Sequence, residues 1–327
     1  MSAATATARA QAALTDFRPR PDDIRGDAVA GLSRSPKRLS SKYFYDGEGS
    51  RLFEEITRQP EYYLTRVEQE LLDARMPAMA DAVGPDVHVV EYGSGSGRKT
   101  RQLLQGLHGV VAYTPVEISR STLLASTGRL AAAFPRIEML PVCADFTRAL
   151  TLPMAARTPR RTLMFFPGST LGNFTNDEAV AILRAMRETM GNDGRALVGV
   201  DLDKDPAVIE AAYNDAAGVT AAFTLNLLVR LNREIGSDFA LDGFRHRAVY
   251  ARERGRIETF LVSQRAQDVH VAGRTFAFAD GEAMLVEYSH KYTDGGLAEL
   301  AAAAGLRLVE RWNDDRDWFG LRLLAPA

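Results

Sequence analysis

From residue 87 onward, short apolar runs and helical stretches take turns along the chain. Val87-His-Val-Val-Glu-Tyr92 reads as a strand, and Val110–Glu117, Ile137–Val142, Arg161–Phe166 and Arg195–Asp201 repeat the pattern. Between them the spacing predicts helices over Lys99–Leu107, Ser121–Phe134 and Asp177–Met190. Strands alternating with helices at this interval imply βαβ units and a parallel sheet covered on both faces. Upstream, Val67, Leu71, Leu72, Met76 and Met79 fall on one face of a helix over Arg66–Val83. Glu48–Arg58 reads as a short helix closed by Pro60, and residues 17–42, with Pro19, Pro21 and Pro36, as an extended, loop-rich lead-in.

After Asp201 the rhythm changes. Pro206–Ile235 predicts helix with a break at Gly218, and residues 244–278 alternate apolar and polar (Ile257, Thr259, Leu261, then Val269, Val271, Phe276, Phe278). That alternation marks antiparallel strands with one wet face. A helix over Leu297–Ala304, closed by Gly305, and strands Leu306–Trp312 and Phe319–Leu324 would complete a seven-stranded sheet. The expected architecture is an α/β, Rossmann-like domain from residues 67–203 and 291–327. Residues 26–66 and 204–290 would form a second, α+β substrate-binding lobe, and residues 1–25 a flexible tail. A cleft between the lobes would face the carboxyl ends of the strands, where such sheets bind ligands.

Composition changes this picture little. The 327 residues suit two lobes, and 46% hydrophobic with 25% charged residues is ordinary globular make-up. Forty basic against forty-two acidic side chains, a formal charge of −2, argues against a nucleic-acid partner. The single cysteine, Cys143, excludes an intrachain disulfide, and the five scattered histidines offer no zinc spacing. No apolar run approaches the ~20 residues of a membrane-spanning helix, and Met1–Ala13 lacks the apolar core of a secretory signal. The expectation is a soluble, cytoplasmic, monomeric protein without a metal.

Candidate chemistry gathers at the strand ends. Gly93-x-Gly95-x-Gly97 directly follows a strand and opens a helix, where glycine permits positive φ and close backbone approach to a ligand. The spacing differs from the G-x-G-x-x-G of dinucleotide enzymes, and a ligand without phosphates suits it. Glu117 ends the second strand 24 positions after Gly93, where an acid can take both ribose hydroxyls. Asp145-Phe146 ends the third, offering an acceptor for an adenine amino group and a ring for its face. Three successive strand ends of this kind point to an adenosyl cofactor. The fourth strand runs into Phe166-Pro-Gly168-Ser-Thr-Leu-Gly172-Asn173-Phe, with Asn176 placed to cap the next helix and Asn173 upstream of it. Taken singly, Tyr62, Tyr63, Tyr213 and Glu287-Tyr-Ser289 read as ordinary packing or surface.

Several longer strings, taken together, resemble the L-histidine Nα-methyltransferases of ergothioneine biosynthesis. They are Lys42-Tyr-Phe-Tyr45-Asp-Gly-Glu-Gly-Ser, Thr57-Arg-Gln-Pro-Glu-Tyr62-Tyr, Gly93-Ser-Gly95 with Lys99-Thr-Arg, Gly168-Ser-Thr-Leu-Gly-Asn173, Tyr213-Asn-Asp-Ala-Ala-Gly-Val-Thr-Ala-Ala-Phe223 and Glu287-Tyr-Ser289. The resemblance spans nearly everything beyond the first ~25 residues. It implies a class I methyltransferase that moves three methyl groups from S-adenosylmethionine to the α-amino nitrogen of free L-histidine, giving hercynine and S-adenosylhomocysteine. It further implies that Gly93, Lys99, Glu117, Asp145 and Phe146 hold the cofactor and that Asn173 and Tyr213 hold the amino-acid carboxylate. Tyr62, Glu287 and Ser289 would surround the imidazole, with Gly168 and the Tyr45 hydroxyl near the amino group. Tyr45, through water, is the candidate for moving the proton that each of the first two transfers releases. Thr259 stands where the family has methionine, Leu64 where it has proline, and Tyr92 also departs from the family pattern. The competing readings are an Nα-methyltransferase for another free amino acid and a non-catalytic adenosyl-binding regulator.

Overall fold

The computed structural model describes residues 14–17, 23–93 and 97–327. Residues 1–13 and 18–22 of the expected tail, and Ser94, Gly95 and Ser96 of the glycine motif, lie outside the described residues. In chain order the strands begin with β1 (Thr15–Asp16), β2 (Val87–Tyr92), β3 (Val110–Glu117), β4 (Glu138–Met139), β5 (Val142–Cys143), β6 (Arg161–Phe166) and β7 (Arg195–Asp201). They continue with β8 (Phe244–Ala251), β9 (Arg256–Ser263), β10 (Gln267–Val271), β11 (Arg274–Phe278), β12 (Ala283–His290), β13 (Leu306–Asn313) and β14 (Phe319–Pro326). The helices are α1 (Ile24–Leu32), α2 (Gly47–Ile56), α3 (Leu64–Val83), α4 (Arg98–Gly106), α5 (Arg120–Ala133), α6 (Asn176–Met190), α7 (Pro206–Ala211), α8 (Val219–Ile235) and α9 (Asp294–Ala303).

Among the described residues the main sheet runs β1-β5-β3-β2-β6-β7-β14-β13, with β4 also paired to β3. Counting β4 and β5 as halves of one strand and leaving β1 aside, the order is 3-2-1-4-5-7-6. All neighbours are parallel except the seventh strand, β14, which is antiparallel to β7 and to β13. The central strands β2, β3, β6 and β7 are largely apolar, as suits strands buried on both faces. Val89, Leu163, Phe165 and Leu197 pack into one core with residues of α3, and Val90, Met164, Phe166 and Val198 into another with α6 and α9. Alternate residues thus serve opposite faces.

Several expectations need correction. The third strand is not continuous over Ile137–Val142: it breaks at Leu140-Pro141, since Pro141 has no amide hydrogen for the ladder, and β3 is rejoined only at Val142. The lead-in is not wholly extended, for α1 forms within it. Asp23 accepts a hydrogen bond from the Gly26 amide at 2.8 Å, and Ala28 and Leu32 are buried. Inside the expected tail, Thr15-Asp16 adds a short parallel strand to β5. Asn176 is the first residue of α6 and not its cap: Thr175 takes that place in a reciprocal capping box with Glu178.

The chain between β7 and α9 forms a three-stranded antiparallel sheet, β12-β9-β8, and a β10-β11 hairpin. Leu285 pairs with Phe260 but Glu287 with Thr259, so Val286 is an extra residue, a bulge. The 3₁₀ turn over Thr170–Asn173 lies against the end of β12. A Cβ on Gly172 would sit 2.8 Å from the His290 carbonyl oxygen, so only glycine allows these backbones to approach. No helix of the described residues is long and apolar enough to cross a membrane.

Candidate active site

The glycine loop starts at Gly93, whose φ of 72° follows the end of β2. Below it, fully buried Glu91 accepts hydrogen bonds from Thr100 Oγ1 at 2.7 Å and Tyr113 Oη at 2.6 Å, tying α4 to the sheet. Burial pushes the Glu91 carboxyl up to about 7, against those hydrogen bonds. At the end of β3, Glu117 accepts from the amides of Ile118 (2.9 Å) and Ser119 (3.2 Å), and burial raises its carboxyl above the usual range. Asp145, exposed, turns onto the Thr147 amide at 3.0 Å, while Phe146 stacks on Tyr92 with centroids 5.2 Å apart. These groups lie at neighbouring strand ends, as expected of an adenosyl site.

Lys99 pairs with Glu68, a carboxylate of α3 that no motif indicated. Glu68 is fully buried and also accepts the Gly168 amide at 2.8 and 3.0 Å. A Cβ on Gly199 would lie 2.3 Å from Glu68 Oε1, so the bare backbone of β7 makes room for it. Through Glu68, the lysine assigned to the cofactor and the glycine assigned to the amino group share one anchor. Ser169, at a φ of 55°, holds the Asp201 amide with its Oγ at 2.9 Å. Asn173 is half-buried, and its side-chain amide makes no hydrogen bond among the described residues.

Most of the third group is buried. Tyr213 Oη and Ser289 Oγ are 2.6 Å apart, although 76 positions separate them in sequence. Lys291 reaches both, and it also pairs with Asp201 Oδ2 at 2.8 Å. Asp201 in turn receives Lys204 at 2.6 Å and the Tyr63 hydroxyl at 2.8 Å. Burial, followed by the charge of Asp201 and then of Glu287, raises the Tyr213 phenol well above its ordinary value. Tyr62 is raised by burial and then by the fields of Tyr213, Tyr45, Glu287 and Asp201. Tyr45 keeps 45% of its surface accessible and meets the rings of Phe53 and Phe223 edge-on. Desolvation first, then Glu287 and Tyr213, pushes its phenol up as well. Glu287 is held up to about 7 by burial, opposed by Lys291 and by Thr259, whose Oγ1 lies 3.5 Å away.

Every candidate but Asn173 thus falls into one of three groups. Tyr45, Tyr62, Tyr213, Glu287 and Ser289 cluster; Gly168 and Lys99 meet at Glu68; Gly93, Glu117, Asp145 and Phe146 mark the strand ends. Sequence reading missed Glu68, Tyr63, Asp201, Lys204 and Lys291. A signal for Asp201 was present: it is an acid ending a buried apolar strand, the argument already applied to Glu117.

A sheet in this strand order, with acids at successive strand ends beside a glycine loop, defines an S-adenosylmethionine-dependent methyltransferase of class I. The chain matches, over residues 24–326, the family described as "Histidine-specific methyltransferase, SAM-dependent", and it belongs to that family. It is 40% identical over 306 residues to the histidine N-alpha-methyltransferase of Mycolicibacterium smegmatis, covering 92% of this chain and 94% of that one. The Mycobacterium tuberculosis protein of the same name is 40% identical over 309 residues, with the same coverage. Ergothioneine biosynthesis protein 1 of Neurospora crassa is 30% identical over 301 residues, covering 89% of this chain but 33% of that longer protein. Among solved structures, the CcbJ methyltransferase of Streptomyces caelestis aligns with a TM-score of 0.43 at 20% identity, over 80% of this chain and 90% of that one.

Proposed function

We propose that this enzyme methylates the α-amino nitrogen of free L-histidine three times, producing hercynine for ergothioneine biosynthesis. The observation that carries the reading is the cluster in which Glu287, Ser289 and Tyr213 meet Tyr45 and Tyr62, beside the turn bearing Gly168 and Asn173. The side chains suit an amino acid with a polar ring: an acid and a hydroxyl for the imidazole, an amide and a phenol for the carboxylate. We take the enzyme to act in the cytoplasm as a monomer, and the polar side chains of the site support a free metabolite as substrate over nucleic acid or membrane.

The residues present fit an adenosyl cofactor. Gly93 has the positive φ that brings backbone close to a ligand, and Glu117 is a largely buried acceptor beside it. Gly93, Lys99, Glu117, Asp145 and Phe146 would hold S-adenosylmethionine, which supplies an electrophilic methyl group on a sulfonium. The chain's own task is alignment and proton management. Each transfer needs the nitrogen lone pair, so an arriving ammonium loses a proton first, and the cations from the first and second transfers lose one each before the next. Because Tyr45 is held as a phenol, it serves as a hydrogen-bond relay to water and not as a phenolate base. Asn173 and Tyr213 hold the carboxylate, Gly168 lies by the amino group, and Glu287, Tyr62 and Ser289 select the ring. In this reading residues 26–66 and 204–290 form the substrate side and residues 67–203 and 291–327 the cofactor side; the assigned residues support it, all but Gly168 and Asn173 falling into the matching segments.

The test is incubation with S-adenosylmethionine and each free amino acid separately, followed by mass spectrometry. Histidine gaining three methyl groups is the expected result. Another amino acid gaining them would move the specificity to the wall formed by Thr259, and no turnover with any would leave a binding protein.

A further inference from the structure

The cofactor and substrate assignments meet at one buried side chain. Glu68 lies at the start of α3, just after Tyr62 and Tyr63, and it is fully buried. A buried carboxylate keeps its charge only where a cation and hydrogen-bond donors replace water. Lys99 supplies the cation, and the Gly168 amide is a further donor, 2.8 Å from one oxygen and 3.0 Å from the other. Glu91, the other buried carboxylate whose field reaches Lys99, is occupied by Thr100 and Tyr113. Among the described residues Glu68 is therefore the ion-pair partner of Lys99.

Each end of this bridge is set by it. An ammonium has three donors, and among the described residues Lys99 gives one, to Glu68, which keeps the others for a bound group. The peptide joining Pro167 to Gly168 is held at both edges, its N–H by Glu68 and its carbonyl by Thr170 Oγ1 at 2.9 Å. With that plane fixed and a φ of 78°, the course of the backbone through Gly168 is fixed from its amide side. The lysine also lies against this glycine: a Cβ on Gly168 would be 3.4 Å from Lys99 Nζ. A shift of the ammonium thus pulls on a carboxylate that the Gly168 amide also holds.

We propose that Glu68 is a positioning residue that couples the two binding events: it passes the seating of the cofactor on Lys99 to the Gly168 backbone that receives the substrate amine, so that each ligand tightens the other. The inference rests on the histidine reading and deepens it, since it concerns how the two assigned halves of the site communicate. The ligand that arrives first orders the shared carboxylate, and the second finds it already ordered. Linkage makes the effect reciprocal.

The test compares histidine affinity, by titration calorimetry, without and with saturating S-adenosylhomocysteine. In the wild-type enzyme that product is expected to tighten histidine at least about fivefold, and histidine to tighten the product by the same factor. Glu68→Gln cuts the bridge at one end: the amide oxygen still accepts the Gly168 N–H, but the NH₂ group meets the ammonium as donor against donor. E68Q is expected to bind histidine alone within about threefold of wild type while the coupling falls below about twofold. A merely structural role would lower stability and leave the ratio of the two affinities where it was. Glu117→Ala, which weakens the product at its ribose, is the control and is expected to keep the wild-type ratio once the product saturates. Lys99→Met cuts the same bridge from its other end, is expected to lose the ratio as E68Q does, and decides if E68Q does not fold. Wild-type coupling in a folded E68Q or K99M would overturn the proposal, as would an equal loss in E117A. So would a wild-type enzyme whose histidine affinity ignores the product, and none of these results touches the methyltransferase reading. A wild-type enzyme that binds no histidine in either state would overturn both this inference and the function on which it rests.

Discussion

The two ends of the proposed active site are built on different principles. At the cofactor end, Glu117 and Asp145 find their partners within two residues of themselves, on the amides of Ile118, Ser119 and Thr147. At the substrate end, partners come from far along the chain: Tyr63 meets Asp201 across 138 positions and Lys291 meets Tyr213 across 78. A site made by a strand end and its own turn keeps its geometry wherever the strand is correctly placed. One assembled from distant segments depends on the whole fold, and its buried charges have no water to fall back on.

The largest test of this contrast is Asp201→Ala. It leaves Lys204 and Lys291 buried without their carboxylate, and breaking buried pairs of this kind costs about 3–5 kcal/mol. Urea unfolding should show that loss, whereas a change under about 1 kcal/mol would mean that the network adds little. Glu117→Ala leaves folding nearly intact and weakens S-adenosylhomocysteine by ~1–3 kcal/mol, read by calorimetry. Unchanged cofactor affinity there would remove Glu117 from the site. Glu287→Ala should raise the KM for histidine about tenfold, or ~1.4 kcal/mol, and affect the cofactor far less; equal losses would be incompatible with ring recognition.

Two effects of pH are smaller. The Glu287 carboxyl changes state near 7, and only its ionised form accepts an imidazole N–H without offering a competing hydrogen. The ratio of E287Q to wild-type KM for histidine should therefore rise as pH increases through about 7; a flat ratio would contradict it. His88 and His290 are held down to about 4 by burial, so the fold favours their neutral forms. Their contribution to stability is complete above the ordinary value of 6.5 and is lost as pH falls from there toward 4. His88→Gln should make that decline shallower in pH-dependent unfolding, and an unaltered slope would show that His88 plays no part in it.

What could be read from the residues follows the same division. The boundaries of β2, β3, β6 and β7 are legible because a strand buried on both faces is an unbroken apolar run between turns. Glu117 and Asp145 are legible because they end such runs. Helix α1 was hidden by prolines and charges around it, although Asp23 is an ordinary cap. Glu68, Lys204 and Lys291 sit in stretches with no motif, and only the packing of remote elements reveals their purpose. Tyr213, Glu287 and Ser289 were singled out by family resemblance, not by any local pattern.

Strand β12 carries one more lesson, in the parity of its residues. Before the bulge the even-numbered Met284 shares a side with Leu261; after it, odd-numbered Glu287 and Ser289 share that side with Thr259 and Ile257. Were Val286 to pair with Thr259 instead, a valine, a tyrosine and a histidine would take the inner places, and the carboxylate and hydroxyl would be turned outward. A single supernumerary amino acid thus acts as the selector between a greasy interior and one able to read a ring.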